Sequence, residues 1–186
     1  MPNLRGICRT LWFAYLISYP FNAYTTYLGI AACCLTMIKY CGSPKLSLES
    51  AQTWFQTAIH VDEFHVLSYM MATMMAPNGV FVNGPVIITA LLNAVNELKN
   101  MVVQNPDLPL LGNATVKSYL EKGSSYQVTD AAKKMRSDIE VYCGFMLIPL
   151  ALVGTASWMA PLTYWQMSRM RYMISVNLQQ AWMRFD

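Results

Sequence analysis

Charged residues are scarce in this sequence. Only 12% of its 186 residues are Asp, Glu, Lys or Arg, whereas a soluble globular domain carries about 25%, so the chain has too few charges to cover a water-facing exterior. More than half of the charged residues, 12 in number, fall between Glu97 and Glu140. The long charge-free runs outside this segment indicate helices that lie in a membrane.

Several recognisable motifs are also missing, and each absence excludes a class of function. The net charge is only +3, and residues 97–140 carry six basic and six acidic side chains, so no concentrated basic face is available for nucleic acid. The five cysteines form no CxxC pair and are typical of small buried apolar side chains. The sequence has no glycine-rich phosphate loop, GxSxG elbow or plausibly spaced Cys–His pair. We therefore expect a protein that is not an enzyme and binds neither a cofactor nor a metal ion.

The first apolar run covers 10–38 and contains no charged residue. It is long enough to cross a bilayer as one helix. Pro20 removes a helical hydrogen bond within the run, so an alternative interpretation places 10–19 at the interface and the span at 21–38. Both interpretations predict one crossing.

Two more apolar runs follow. Residues 64–96 contain no Asp, Glu, Lys or Arg, but Pro77-Asn78-Gly79 divides them into arms of a length that is more often re-entrant or interfacial than spanning. We predict a helical hairpin that returns to its starting side. Residues 141–160 form the clearest spanning candidate, with a kink expected at Pro149.

The remaining segments are polar or amphipathic. Polar and apolar residues alternate at helical spacing over 47–63 and again over 161–185, which predicts two amphipathic helices. Residues 97–140 are predicted to be a polar loop in which 129–140 form a short charged helix, with continuation of this helix into the next span as the alternative. The expected fold is therefore a single domain over 1–186, an all-α, multi-pass helical membrane protein with a hairpin and a C-terminal amphipathic helix.

Both histidines of the chain lie in His60-Val61-Asp62-Glu63-Phe64-His65. A zincin needs two histidines at i and i+4, whereas these are at i and i+5, about 140° apart around a helix. A structural pair between Asp62 and His65 at i, i+3 fits the spacing better. A site shared with another chain, or metal or haem ligation, are the alternatives.

Hydroxyl and amide side chains are frequent in the first apolar run. Because such groups need partners in hydrocarbon, we predict that Tyr19, Asn22 and Tyr27 contact other helices. The alternative is that the tyrosines mark the membrane interface beside a displaced span.

The last helix allows three interpretations: a membrane-surface anchor, a Met-rich face that binds a partner, or a helix packed on its own chain. Arg169 and Arg184 lie on its polar face, while Arg171 lies near the opposite side. We expect Tyr164 and Trp165 to sit at the membrane–water interface. Arg169 and Arg171, with Tyr172 beside them, are expected to meet lipid phosphates or partner carboxylates.

Short motifs in a characteristic order indicate a known family. They are Tyr19-Pro20, Asp62-x-x-His65 with Tyr69 a turn later, Pro-Asp-Leu-Pro-Leu-Leu at 106–111, Pro149, and Pro161-x-x-Tyr164-Trp165 followed by Arg171-Tyr172. From about Leu11 to Phe185 the chain resembles the transmembrane-protein-33 family. The resemblance implies non-catalytic integral proteins of curved endoplasmic-reticulum or nuclear-envelope membrane that bind reticulon-like and pore components.

The function expected from these features is a non-catalytic integral membrane scaffold that binds neighbouring membrane proteins and lipids and supports membrane shape or complex assembly. An alternative is an accessory subunit of a large mitochondrial inner-membrane complex, because Arg5 and Arg9 precede any acidic residue. A small transporter is a third possibility, although the apolar runs lack the ionisable groups that a transport path needs.

Overall fold

A computed structural model describes residues 2–19, 25–44, 47–75, 80–104 and 113–185. Within these ranges the regular secondary structure is helical, as predicted, and consists of nine helices and no strand. They are α1 (Pro2–Ser18), α2 (Thr25–Cys41), α3 (Leu48–Ala58), α4 (Asp62–Thr73), α5 (Val80–Gln104), α6 (Ala114–Gly123), α7 (Tyr126–Leu152), α8 (Met159–Tyr172) and α9 (Val176–Met183).

Short polar side chains start four of these helices. The side-chain oxygens of Ser47, Asn113, Ser125 and Ser175 each accept a backbone N–H from the first turn of α3, α6, α7 and α9. Such caps satisfy N–H groups that have no partner inside the helix. Just past the end of α7, Gly154 adopts a φ of 75°, a conformation that glycine reaches without strain.

Helices α1 and α2 form an antiparallel hairpin. At one end, Thr25 Oγ1 donates to the Ser18 carbonyl over 3.1 Å, and further along Trp12 Nε1 donates to Thr36 Oγ1 over 3.3 Å. These helix bounds exclude one continuous helix over 10–38 and agree with the alternative that divides the run near Pro20. The interfacial position of 10–19 and the span at 21–38 stay predictions. Proline removes one helical hydrogen bond, and residues 20–24 lie outside the described ranges.

Helices α4 and α5 also run antiparallel. Asn93 Nδ2 donates to Glu63 Oε1 over 3.0 Å near the open end. Closer to the turn, Val66 and Met70 pack in one buried cluster with residues of α5 and of the first hairpin. The two helices form a hairpin within the segment 64–96, with Pro77-Asn78-Gly79 outside the described residues. Its return to the starting side of the membrane stays a prediction.

The third hairpin differs from its prediction. Helix α7 begins at Tyr126, inside the segment expected to be a polar loop, and ends at Leu152, so 141–160 is not one continuous span. Pro149 is accommodated within the last turn of α7. The chain reverses after Gly154 and α8 returns along α7, where Leu147 and Ala160 share a buried cluster.

The C-terminal amphipathic segment 161–185 is likewise interrupted. Helix α8 ends at Tyr172 and a separate helix, α9, starts after the cap at Ser175. Leu178 and Ala181 of α9 pack with Val141 of α7. Of the three interpretations of this segment, packing on its own chain is the one that these contacts support.

The three hairpins pack side by side. Helix α2 contacts α4, α1 contacts α5, α4 contacts α8, and α5 contacts α7. Within the described ranges, only Asn83–Gln104 is a helix long and apolar enough to cross a membrane, while Thr25–Cys41 is apolar but shorter. The all-helical prediction is thus confirmed, whereas a multi-pass topology is not established by helix length.

Candidate functional site

Four charged residues meet in the interior where α4, α7 and α8 come together. We call this group the ionic cluster: Asp62, Arg136, Glu140 and Arg171. Arg171 Nη1 lies 3.0 Å from Glu140 Oε1, and Arg136 Nη2 lies 2.9 Å from Asp62 Oδ1. Two longer pairs, Arg136 Nε with Glu140 Oε1 and Arg171 Nη2 with Asp62 Oδ1, each span 3.5 Å. Three helices are therefore joined by alternating charges.

Three members of the ionic cluster, Arg136, Glu140 and Arg171, are almost completely buried, whereas the Asp62 side chain is 44% exposed. Glu140 has 0% and Arg171 has 2% of its surface exposed, and charged groups are seldom removed from water so completely. The arrangement is possible because two guanidinium groups balance two carboxylates. Arg136 and Glu140 are one helical turn apart on α7, so both side chains project from the same face.

Neutral polar groups surround the charges. Tyr69 Oη lies 3.4 Å from Glu140 Oε2, and Tyr164 Oη donates to the Glu140 backbone carbonyl over 2.8 Å. The rings of the two tyrosines stack with centroids 4.7 Å apart. Arg136 Nη1 donates to Thr89 Oγ1 of α5 over 3.1 Å. The cluster thereby connects four helices of the second and third hairpins.

Burial and the neighbouring charges both shift the pKa values of these residues. Burial opposes ionisation of Asp62, but Arg136 and Arg171 outweigh it and lower the carboxyl pKa to about 2. Burial raises the pKa of Glu140 against the effect of the same two guanidinium groups. Burial alone would lower the pKa of Arg171, yet Glu140 and the neighbouring acidic groups raise it above its ordinary value.

This geometry suits a structural role. Both oxygens of the Glu140 carboxylate face groups of the protein, namely the two guanidinium groups and the Tyr69 hydroxyl. A general base must reach a substrate proton, and Glu140 has no surface exposure through which a substrate could approach it. Within the described ranges, no three His, Cys, Asp or Glu side chains are placed to hold a metal ion.

The expected pair between Asp62 and His65 is not the one observed. His65 Nε2 lies 2.7 Å from the carbonyl oxygen of Ile59, so Nε2 carries the proton that this contact requires. Asp62 turns instead toward Arg136 and Arg171. The predicted pair was based only on spacing along α4. The guanidinium groups that Asp62 contacts lie on α7 and α8, and guanidinium groups bind a carboxylate more strongly than a neutral imidazole does.

Two residues predicted at a lipid or partner surface lie inside the protein. Tyr164 is buried against Tyr69, and Arg171 is buried in the ionic cluster. The interface positions expected for them are therefore wrong. Both side chains lie on the face of α8 that meets α4 and α7, because the hairpin folds α8 back onto its own chain.

The other predicted contact residues of α8 line an open groove. Trp165, Arg169 and Tyr172 bound it together with Ser168 and Trp182, around a volume of about 290 Å³. The rings of Trp165 and Trp182 have centroids 5.1 Å apart. We call this surface the tryptophan groove. Its role in binding lipid or partners stays a prediction.

The residues predicted to make intramembrane contacts, Tyr19, Asn22 and Tyr27, do not share one environment. Tyr19 packs against Tyr15, with ring centroids 5.8 Å apart. Tyr27 is 58% exposed on α2. Asn22 lies outside the described residues, and contacts of Tyr27 with foreign helices stay a prediction.

A second, smaller group of charges joins the first two hairpins. Arg9 Nε and Lys39 Nζ lie 3.9 Å and 3.6 Å from the carboxylate of Glu97. Helices α1, α2 and α5 are linked in this way at the end of the hairpins that is remote from their turns. A cavity of about 190 Å³, lined mainly by polar side chains, opens beside these residues.

Sequence reasoning missed Arg136 and Glu140 as interior residues. The signal available was their i, i+4 spacing immediately before the charge-free run 141–168, but such pairs are more often solvated. The position of Arg171 near the apolar side of α8 was a second signal. Neither reveals the fold that brings Glu140 and Arg171 together.

These features define a class of protein: a helical membrane protein whose described hairpins have charge-free turn ends and are joined by ion pairs at their other ends. The family model described as "Transmembrane protein 33/Nucleoporin POM33" matches residues 4–185, and the chain belongs to this family. The resemblance seen in the sequence is thus confirmed. The family is one of membrane proteins linked to the nuclear pore and the endoplasmic reticulum, and it is not known as an enzyme family.

Comparison with curated proteins and with solved structures finds no significant match. The family match gives no support to the mitochondrial alternative.

Proposed function

We propose that the protein is a non-catalytic scaffold of the endoplasmic-reticulum or nuclear-envelope membrane. In this role it binds neighbouring integral membrane proteins and lipids and supports membrane shape or complex assembly. The family match supports the membrane and the organelle.

One observation carries the scaffold proposal: the charges where α4, α7 and α8 meet neutralise each other, within a body that exposes aromatic and methionine side chains. The Glu140 carboxylate is fully buried, and the Asp62 carboxylate is paired with Arg136 and Arg171, which favours a role in fixing the helices relative to one another. A rigid body of this kind acts through its outer surface.

The tryptophan groove is the surface that we assign to partner binding. Tryptophan and arginine are the residue types that most often dominate binding energy at protein interfaces. Here Trp165 and Trp182 flank Arg169 at an open groove. Arg169 is exposed, whereas Arg171 on the same helix is buried, so Arg169 is the arginine available to a partner.

Affinity purification of the full chain in mild detergent tests this assignment. Arg169→Ala should reduce the recovery of co-purifying membrane proteins without lowering the abundance of the protein. Arg184→Ala, which removes an exposed arginine paired with Asp138 outside the groove, is the matched control. The same set of partners at unchanged recovery in the Arg169→Ala sample would contradict the assignment of the groove.

A further inference from the structure

The three longest charge-free stretches of the sequence coincide with the three hairpins. They are 10–38, 64–96 and 141–168, and they correspond to α1–α2, α4–α5 and α7–α8. Each stretch begins and ends next to charged residues. Every hairpin therefore has two different ends. The closed end, at the turn between its two helices, is uncharged, and the open end, opposite the turn, is charged.

The closed ends lie together at one end of the molecule. The Ser157 N–H, between α7 and α8, donates to the Met75 carbonyl at the end of α4 over 3.0 Å. Gly29, near the start of α2, faces the end of the Met70 side chain on α4. The last residues of α4 are thus close to the closed ends of both other hairpins.

The open ends lie together at the opposite end. Arg9 and Lys39 of the first hairpin meet Glu97 of the second. Asp62 of the second hairpin meets Arg136 and Arg171 of the third. The ion pairs therefore join the three hairpins on the side remote from their turns.

Large apolar side chains are exposed at both ends of the molecule, for example Leu48 and Val103 at the open end, but at the closed end no charged residue lies among them. Water would disfavour such a surface, whereas lipid acyl chains accept it. The exposed residues of the closed end include Met71, Met74, Leu152, Val153, Trp158 and Leu162.

The arms of the hairpins are short for a bilayer. At about 1.5 Å per residue, α4 rises roughly 17 Å from Asp62 to Thr73 and α8 rises roughly 20 Å from Met159 to Tyr172, against a hydrocarbon core of about 30 Å. Helix α5 is longer, but Glu97 divides it and is paired with Arg9 and Lys39. Its apolar part, from Val80 to Glu97, rises roughly 25 Å, which is also less than the thickness of the hydrocarbon core.

We infer that all three hairpins enter the bilayer from the same side and turn inside it, so that the apolar closed end is a lipid-binding surface and the charged ends stay in one aqueous compartment. The partner is the acyl-chain region of a bilayer, entered through one leaflet. Such a body displaces more volume in the leaflet it enters than in the other. This inference rests on the membrane location and deepens the proposed support of membrane shape, but it does not depend on partner binding at the tryptophan groove.

Cysteine labelling in sealed microsomes tests this topology with the full chain. Ser43→Cys, Ser118→Cys and Gln180→Cys report the open end after each hairpin, and Met74→Cys and Val153→Cys report the closed end. A membrane-impermeant maleimide is applied to intact vesicles, to vesicles opened to expose the lumen, and after detergent. The unsubstituted chain gives the background from its own five cysteines.

The three open-end positions should label from one and the same side of the membrane, and the two closed-end positions from neither side until detergent is added. Labelling of Met74→Cys or Val153→Cys from the opposite side would overturn the inference, because the hairpins would then span. Open-end positions divided between the two sides would also overturn it.

Protease treatment of the unsubstituted chain in the same vesicles is the second measurement. The helices α3, α6 and α9 should be cut together from one side, and protection of some of them but not others would contradict a one-sided topology. Loss of partner binding in the Arg169→Ala variant tests the proposed function separately and leaves both topology readouts unchanged.

Discussion

Glu140 is the residue with the greatest energetic consequence in the interior. Its carboxylate is fully buried and has Arg171 as its nearest cation. A buried ion pair adds little when compared with apolar residues of the same shape, but the loss of one partner leaves a desolvated charge without compensation.

Arg171→Met should therefore destabilise the protein by about 3–5 kcal/mol. Thermal unfolding in detergent, followed by the loss of helical signal, measures the change. Arg184→Met is the matched control, because Arg184 and Asp138 form an exposed pair whose removal should change stability by about 0–1 kcal/mol.

The double variant Arg171→Met with Glu140→Gln separates charge from packing. It should be less destabilised than the sum of the two single variants, because neither charge is then left without its partner. Strict additivity would show that the pair does not act as a unit.

The lowered pKa of the Asp62 carboxyl group predicts that the stability of the protein depends on pH in the acidic range. Its pKa falls from 3.8 to about 2 in the folded protein, so the unfolded chain takes up a proton that the folded chain does not. The stabilisation is present above pH 3.8 and is lost as the pH falls toward 2. Because the carboxylate is 44% exposed, solvent screening limits the expected loss to about 1 kcal/mol.

Asp62→Asn should reduce the loss of stability over this pH range relative to the unsubstituted protein. Unfolding midpoints measured at several pH values between neutral and acidic buffer provide the test. Asp138→Asn should retain the original pH dependence, and an equal change in both variants would remove Asp62 from its assigned role.

At the scale of the helices, close approach depends on small residues. A Cβ atom on Gly84 of α5 would lie 2.8 Å from Ile139 Cγ2 on α7, closer than side chains tolerate. Glycine at this crossing lets the two helices approach, as small residues do between helices in membranes.

Gly84→Ala should destabilise the protein by about 1–3 kcal/mol, because the overlap with Ile139 outweighs the better helix propensity of alanine. Gly6→Ala in α1 is the control, since nothing lies within 4 Å of its added Cβ. This control should be neutral or slightly stabilising. Equal effects of the two substitutions on the unfolding temperature would contradict the close packing of α5 on α7.

The helices also show what sequence could and could not predict. Charge-free runs and helical periodicity located the hairpin at 64–96, because these signals are local. The turn near Pro20 was ambiguous, since a proline either kinks or ends a helix, and only the packing of α1 on α2 decides between them. Arg171 was assigned to the surface because its partner Glu140 is distant in the sequence. The reversal of the chain after α7 brings the two residues together, and local sequence patterns do not show it.

At the scale of the whole molecule, charge is segregated along the hairpins. Their open ends carry the ion pairs and their closed ends carry exposed apolar side chains. A carboxylate introduced at the closed end should therefore oppose contact with lipid, whereas one introduced at the open end should have no such effect.

Val153→Glu should increase the fraction of protein released from membranes by carbonate washing, because a carboxylate in hydrocarbon is unfavourable by up to about 3 kcal/mol. Ser118→Glu, at an exposed position of α6, is the control and should leave the released fraction unchanged. Equal release of the two variants would indicate that Val153 does not meet lipid.

The most direct measurement of the central claim is the environment of the closed end in a bilayer. A nitroxide attached at Val153→Cys in liposomes, on a chain whose other cysteines are replaced by serine, reports collisions with oxygen and with a water-soluble nickel complex. The membrane-embedded fold predicts frequent collisions with oxygen and few with nickel at this position, and the reverse at Ser118→Cys. Frequent nickel collisions at Val153 would show that water surrounds the apolar end, and would contradict the fold as a body held in lipid.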